Sequence, residues 1–311
     1  MRMLKTVISL AAGALLMAAP AFSQNENHGQ GQAVVTVLPS HGGEAPTNLS
    51  QQDFNVKVNG KLSTITNWTP LRGANDRLEL VVLIDDSARS SLGTQMTEIA
   101  DFVKTLPPNS KVAIAYMQNG MAKLTGPLTP DHAQALRGLR LTVGEPGGSA
   151  SPYFCLSDLA KRWPSEDRDA RREVVMITDG VDYYNPHYDP EDPYVQSAIT
   201  DSVRAGLVVY SIYWQNRGRF DSSMYETNAG QNLLLQVTAA TGGNSYWEGY
   251  GNPVSFEPYF KDLDRRLQNQ YELSFTSALN GKPGVEDMKL KVSGISGKVA
   301  APQQVLVNRA M

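Results

Sequence analysis

The sequence predicts an α/β protein: a mostly parallel sheet with helices on both faces, inserted in a small β-sandwich built from the two chain ends. Three observations carry this. The runs Leu80–Ile84 and Val174–Ile177 are unbroken apolar segments that each lead to an aspartate, as strands buried on both faces do. Between residues 78 and 270 such strands alternate with helical stretches, which calls for crossover connections and a parallel sheet. Both ends return to short alternating strands, too few at either end to bury a core alone. A tandem arrangement of the ends is the less economical alternative.

The elements follow in order. Residues 1–23 read as a signal peptide. Arg2 and Lys5 precede the apolar stretch Val7 to Ala19, and Ala19-Pro20-Ala21 or Ala21-Phe22-Ser23 offers a small-residue cleavage site. That run is too short to span a membrane, and no later one is long enough. Residues 24–32 are polar and Gly-rich, as a flexible leader would be. The N-terminal β segment, 33–77, holds Ala33 to Leu38 and a hairpin from Asp53–Val58 to Lys61–Thr66, turned by Asn59-Gly60. The α/β region, 78–270, predicts strands at 80–85, 111–117, 173–178, 207–213 and 245–247, with an antiparallel edge within 121–128. Its helices are expected near 91–105, 130–138, 152–162, 191–204, 229–240 and 255–269. The C-terminal β segment, 271–311, alternates at Tyr271–Phe275, Met288–Val292 and Gln304–Val307 and packs with 33–77.

Composition narrows the function. The chain carries 28 Lys and Arg against 31 Asp and Glu. Without the signal the net charge is about −5, with no basic stripe to neutralise phosphates, so nucleic acid is not an expected partner. Cys155 is the single cysteine; it excludes an internal disulfide and suits a small apolar slot. The four histidines, His28, His41, His132 and His187, show no metal-ligand spacing. No nucleophile elbow, phosphate loop or identifiable pair of catalytic carboxylates is present, so an enzyme is not expected.

The chemistry gathers at the strand ends. A hard dication takes about six oxygen ligands. Asp85 and Ser87 lie two apart after the first buried strand, Ser149 follows Gly147-Gly148, and Asp179 ends the second strand beside Gly180. These four side chains are the candidate metal ligands. Asp86, Arg89, Ser90, Ser151 and Asp182 are the residues that would modify the site, with Asp86 expected to face solvent or to bond local backbone amides. Tyr183, Tyr184, Tyr188 and Tyr194 follow Asp179 and form a candidate rim for a partner, since tyrosine is enriched at interfaces. Trp214, Arg217, Arg219, Tyr225, Tyr246, Trp247 and Tyr250 would extend that surface, some of them as core.

Asp85-x-Ser87, Gly147-Gly148-Ser149 and Ile177-Thr178-Asp179-Gly180, in this order over residues 78–270, resemble a von Willebrand factor type A domain. The flanks Leu49-Ser50-Gln51-Gln52-Asp53-Phe54, Val58-Asn59-Gly60-Lys61 and Tyr271-Glu272-Leu273-Ser274-Phe275 resemble the exported type A-related proteins common in acidobacteria. The resemblance implies a Rossmann-like fold whose three loops make a metal-ion-dependent adhesion site. It implies Mg2+ or another divalent cation held by Asp85, Ser87, Ser149 and Asp179, with Ser151 a second candidate for the loop threonine and Asp182 extending Thr-Asp-Gly-x-Asp.

Arg89 departs from that pattern, standing where the motif holds a third hydroxyl. At about 5 Å and an effective dielectric near 20, a dication and a guanidinium repel by roughly 6–7 kcal/mol. Three arrangements remove the conflict. Arg89 swings into solvent while Ser90 or water completes the shell; or it lies between Asp85 and Asp179 in place of the ion; or Asp86 neutralises it outside the site. The expectation is an exported adhesion-type module, periplasmic or secreted, with a degenerate metal site. Its partner is a protein or cell-surface ligand offering a carboxylate. The alternatives are a metal-independent structural or assembly protein and, less favoured, a metal-assisted hydrolase.

Overall fold

Alternation within the buried strands decides which helix each residue meets. The structure, a computed structural model, describes residues 28–39, 50–145, 147–185, 188–216, 223–279, 282–293 and 297–309. The signal and cleavage residues, His41, His187, Arg217 and Arg219 lie outside them. Strands β4 (Leu78–Asp85), β5 (Lys111–Gln118), β6 (Met121–Leu124), β7 (Arg171–Thr178), β8 (Leu207–Tyr213) and β9 (Ser245–Tyr246) form one sheet in the order β6-β5-β4-β7-β8-β9. All neighbours pair in parallel except β5 and β6. Leu80, Val82 and Ile84 face helices α1 (Met96–Thr105) and α6 (Glu257–Leu267) through Ile99, Phe102, Phe260 and Leu263. Val81 and Leu83 face the other layer, α3 (Pro152–Lys161), α4 (Pro193–Arg204) and α5 (Met224–Thr241), through Tyr153, Leu156, Val195, Leu233 and Val237. The short α2 (His132–Leu136) lies against β5.

The chain leaves β4 toward β5 on one side and returns to β7 on the other. The strand order therefore reverses between β4 and β7, and a crevice opens at their carboxyl ends. This is the physical reason that Asp85 and Asp179 lie at the same edge of the sheet.

The strands of the two ends pair with each other, but they close into a barrel where two sandwich layers were expected. β1 (His28–Pro39), β2 (Phe54–Val58) and β3 (Lys61–Pro70) join β10 (Gln270–Ala278), β11 (Gly284–Val292), β12 (Gly297–Ala300) and β13 (Gln304–Arg309) in the order β10-β3-β2-β11-β13-β1-β12, and β1 pairs also with β10. Closure removes the unpaired edges that an open sheet presents. A register shift at Ser274/Phe275 in the β10–β3 ladder supplies local bending. Val35, Val56, Leu273, Phe275 and Val307 fill the interior.

Residues 28–32, expected as leader, are instead the start of β1. At Gly31 a side chain would collide with the Phe275 ring, so the glycine that reads as flexible admits an aromatic to the barrel core. The Asn59-Gly60 turn is as expected, with φ of 48° and 77°, the left-handed pair that a two-residue hairpin needs.

Other boundaries shift. A 3-10 turn, Ser90–Gln95, precedes α1, and β12 was not anticipated. α5 starts at Met224, with Ser223 and Glu226 forming a capping box. Among the described residues no helix is long and apolar enough to cross a membrane.

Candidate functional site

Asp85 is the hub of the crevice. It is fully buried, and four donors converge on its carboxylate. Ser87 N (2.9 Å) and Ser87 Oγ (2.5 Å) donate to Oδ1; Thr178 Oγ1 (2.9 Å), from the neighbouring strand, and Asn216 Nδ2 (3.0 Å) donate to Oδ2. Asn216 also donates to Ser87 Oγ at 3.3 Å. The serine loop brings Ser149 Oγ to 3.5 Å from Ser87 Oγ. Asp85, Ser87 and Ser149 are thus together.

Asp179 lies at the same edge but is turned to its own loop, accepting from Val181 N (3.0 Å) and the Tyr183 hydroxyl (3.3 Å). Gly180 takes φ +68° and lies so close to Gly230 of α5 that a Cβ would sit 2.6 Å from the Gly230 carbonyl oxygen.

The loop that carries Ser149 is bent at Ala150, which holds φ +67° without being glycine. A left-handed alanine costs about 1–2 kcal/mol, and here it sends the two flanking serines to different tasks. Ser149 faces Ser87, while Ser151 caps α3 by accepting from Tyr153 N and Phe154 N. Ser151 is therefore a helix cap and Ser149 the site hydroxyl. Burial raises the pKa of the nearby Asp182 carboxyl, against the lowering by the Tyr184 amide and the Ser151 hydroxyl; the charge of Asp192 raises it further.

Asp86 does not face solvent. It is buried, and its carboxylate receives both arms of Arg140 (2.7 and 2.8 Å), the Gln118 amide (2.6 Å) and Val143 N (3.2 Å). Burial pushes this carboxyl up, but the bonds from Arg140 and Gln118 outweigh it and hold it below the ordinary carboxylate value. Arg140, missed by sequence reasoning, is thus the cation that answers Asp86. Arg89 is not held by Asp86, nor does it lie between Asp85 and Asp179. It is exposed, beside exposed Ser90, and its guanidinium has no hydrogen-bond or ion-pair partner among the described residues.

Asn216 is the second residue that sequence reasoning missed. Its amide nitrogen takes the place against Asp85 and Ser87 that a cation would want. The orientation follows from charge, because the reverse would set Oδ1 against the carboxylate. The cost is a buried Oδ1 without a hydrogen-bond partner. As arranged, the donor set does not fit a metal-ion-dependent adhesion site. Asp85 has both oxygens occupied, Asp179 faces its own loop, and position 89 supplies no hydroxyl. Among the described residues no group of three or more His, Cys, Asp and Glu side chains could hold a metal.

Around the crevice, Phe154 packs against Tyr184 (5.1 Å between ring centroids) and Tyr194 (4.7 Å), both exposed. Tyr183 and Tyr188 are half-buried. Tyr188 N donates to the Tyr225 hydroxyl at 3.0 Å. Of the wider aromatic set, Tyr225, Trp247 and Tyr250 are exposed, whereas Trp214 and Tyr246 are core. On the other side, the loop after Arg140 exposes Leu141 (61 %) and Val143 (64 %). That loop is fixed to the Arg89 turn by Thr142 Oγ1 to the Ala88 carbonyl (2.6 Å) and Gly144 N to the Asp86 carbonyl (3.0 Å). Cys155 is buried beside the serine loop, and burial pushes its thiol well up, which leaves it unreactive.

The sequence matches no family model and no curated protein. Solved structures similar to this chain include an aerotolerance-related membrane protein of Bacteroides fragilis with multiple mutations to serines, at 15 % identity and a TM-score of 0.40, covering 61 % of this chain and 98 % of that one. BatB from Bacteroides thetaiotaomicron is similar at 16 % identity and 0.40, covering 61 % and 97 %. Proximal thread matrix protein 1 from the mussel byssus, with a zinc-occupied MIDAS motif, follows at 12 % and 0.41, covering 65 % and 48 %.

Proposed function

We propose that this von Willebrand factor A-like chain is an exported, non-catalytic, adhesion-type module that binds a partner at the carboxyl edge of its parallel sheet without a metal. The observation that carries the proposal is the Asn216 amide, 3.0 Å from Asp85 and 3.3 Å from Ser87, where it stands in for a cation. The positive charge that a metal would offer to a partner's carboxylate comes from Arg89 in this reading. That guanidinium is exposed and uncommitted, and Leu141 and Val143 flank its turn. A cation bordered by apolar side chains is the composition of a binding hot spot, and a guanidinium fork matches a carboxylate. Tyr184 and Tyr194 supply aromatic area on the opposite rim. Residues 1–23 support export, to the periplasm or beyond.

Thermal unfolding of the mature chain tests the metal-free site. The midpoint is expected to be the same in magnesium, manganese and EDTA. Asn216→Asp places a second carboxylate against Asp85, so this variant is expected to be less stable in EDTA and to gain several degrees on adding magnesium. A magnesium response in the wild-type chain that disappears in Asp179→Ala would sink the proposal. For Arg89, the expected result is an envelope partner retained by the wild-type chain in EDTA and released by Arg89→Glu.

A further inference from the structure

We propose that the cleft between the barrel and the amino edge of the parallel sheet binds a small, multiply charged oxyanion bearing phosphoryl or carboxylate groups. The cleft has a volume of about 730 Å³, within the range of small-molecule sites, which favour domain interfaces. It lies at the opposite edge of the sheet from Asp85 and does not depend on the function proposed there.

The argument is one of charge. The chain as a whole is acidic, with a net charge of −3, yet five cations line this cleft and all are arginine. Arg168, Arg171 and Arg172 come from the start of β7 and the residues before it, Arg204 from the end of α4, and Arg309 from the end of β13. Only Asp169 and Glu272 oppose them, and Asp169 is shared with Arg77 at 3.2 Å.

Arg171 is spent on structure: it pairs with Asp76 at 2.5 Å and donates to the Leu267 carbonyl at 2.7 Å. Arg172 is different. Its guanidinium donates to the carbonyls of Ser165 and Asp167 (each 3.1 Å) and Ala205 (3.4 Å), which fixes its position without neutralising it. Burial lowers its pKa; the charge of Glu79 opposes this, that of Arg168 lowers it further, and that of Asp167 opposes it again. Arg168, Arg204 and Arg309 are exposed, and none has a hydrogen-bond or ion-pair partner among the described residues.

Unneutralised guanidinium groups between two low-dielectric walls focus a positive potential. Their planar forks select oxyanions over halides. Neutral donors from the barrel, Gln30, Gln32, Gln304 and Asn308, line the facing wall. A bound anion would therefore contact both domains and resist their separation, and it should raise thermal stability by mass action.

The test uses the mature chain with pyrophosphate and citrate as probes and sodium chloride at matched ionic strength as the control. One of the two probes is expected to bind in calorimetry and to raise the unfolding midpoint beyond the chloride control. The stronger probe identifies the phosphoryl or the carboxylate class. Affinity is expected to fall at least tenfold in the triple variant Arg168→Gln/Arg204→Gln/Arg309→Gln. These three side chains hold nothing in place, so the variant's unliganded midpoint should match the wild type. Arg89→Glu should leave the affinity unchanged, which separates this site from the carboxyl edge. Failure of both probes to bind, or equal affinity in the triple variant, overturns the proposal.

Discussion

Replacing Arg140 with alanine is expected to destabilise the protein by about 2–4 kcal/mol and to release the loop that carries Leu141 and Val143. Asp86 sits just past the end of β4 with its side chain 6 % exposed. Without Arg140 its charge keeps only the Gln118 amide and Val143 N, which solvate it but do not neutralise it. The guanidinium also lies 3.9 Å from the centroid of the Tyr116 ring, so the truncation removes a cation–π contact as well. Arg140 is itself 42 % exposed, which places the loss toward the lower part of the range for breaking fully buried pairs.

Urea unfolding at neutral pH measures the effect. Because the Asp86 carboxyl is held below its ordinary value in the folded chain, its stabilising contribution is present above the unfolded carboxylate pKa and lost as pH falls through the folded one. The gap between the wild type and Arg140→Ala should therefore narrow in acid to what the lost cation–π contact contributes. Asp86→Asn in the Arg140→Ala background should recover part of the loss. Equal stability of Arg140→Ala and wild type at neutral pH would contradict this account.

The same pair of residues shows what was legible in the sequence. Asp85, Ser87, Ser149 and Asp179 could be placed because each follows a strand or a glycine turn, and the reversal of strand order at β4 and β7 forces their loops together. Asp86 and Arg140 could not, since 54 residues separate partners that no periodicity links. Asn216 was invisible for a related reason. It lies past the end of β8 with no motif around it, and its one signal is position, a short polar side chain beside the Thr178–Asp179 edge. Trp214 N bonded to the Thr178 carbonyl at 2.9 Å draws this loop into the crevice. Gly29 and Gly31 misled in the opposite direction. Composition reads glycine as flexibility, whereas in β1 it marks close approach by Val307 and Phe275. Asn119-Gly120 turns β5 into β6 with φ of 48° and 71°, a hairpin signal of the same kind as Asn59-Gly60 that supports the antiparallel edge.

Glu173→Gln is expected to stabilise the protein by about 3 kcal/mol at pH 8, raising the unfolding midpoint by about 5–10 °C. Glu173 lies in β7 with no exposed surface, and neither carboxylate oxygen has a hydrogen-bond partner in the structure. Burial pushes its pKa from 4.5 up to about 7, only partly opposed by the charge of Arg171 and by the nearby Gln270 amide and Tyr210 hydroxyl. The folded chain thus keeps a proton that the unfolded chain releases. Stability is unaffected below the unfolded pKa of about 4.5, falls as pH rises from there to about 7, and is constant beyond, where the buried carboxylate must be charged in both states. Glutamine has nearly the same shape and never ionises, so the advantage of the variant should be near zero at pH 4 and full at pH 8. The position gives this weight beyond a single side chain. Arg171, two residues before Glu173, bonds Asp76 and the Leu267 carbonyl, and Gln270 opens β10, so the carboxyl lies at the junction of the α/β domain and the barrel. Unfolding midpoints of the two chains across pH 4–8 measure the effect. Parallel curves with no growing gap would show that Glu173 is charged in the folded protein throughout and that Arg171 compensates it after all.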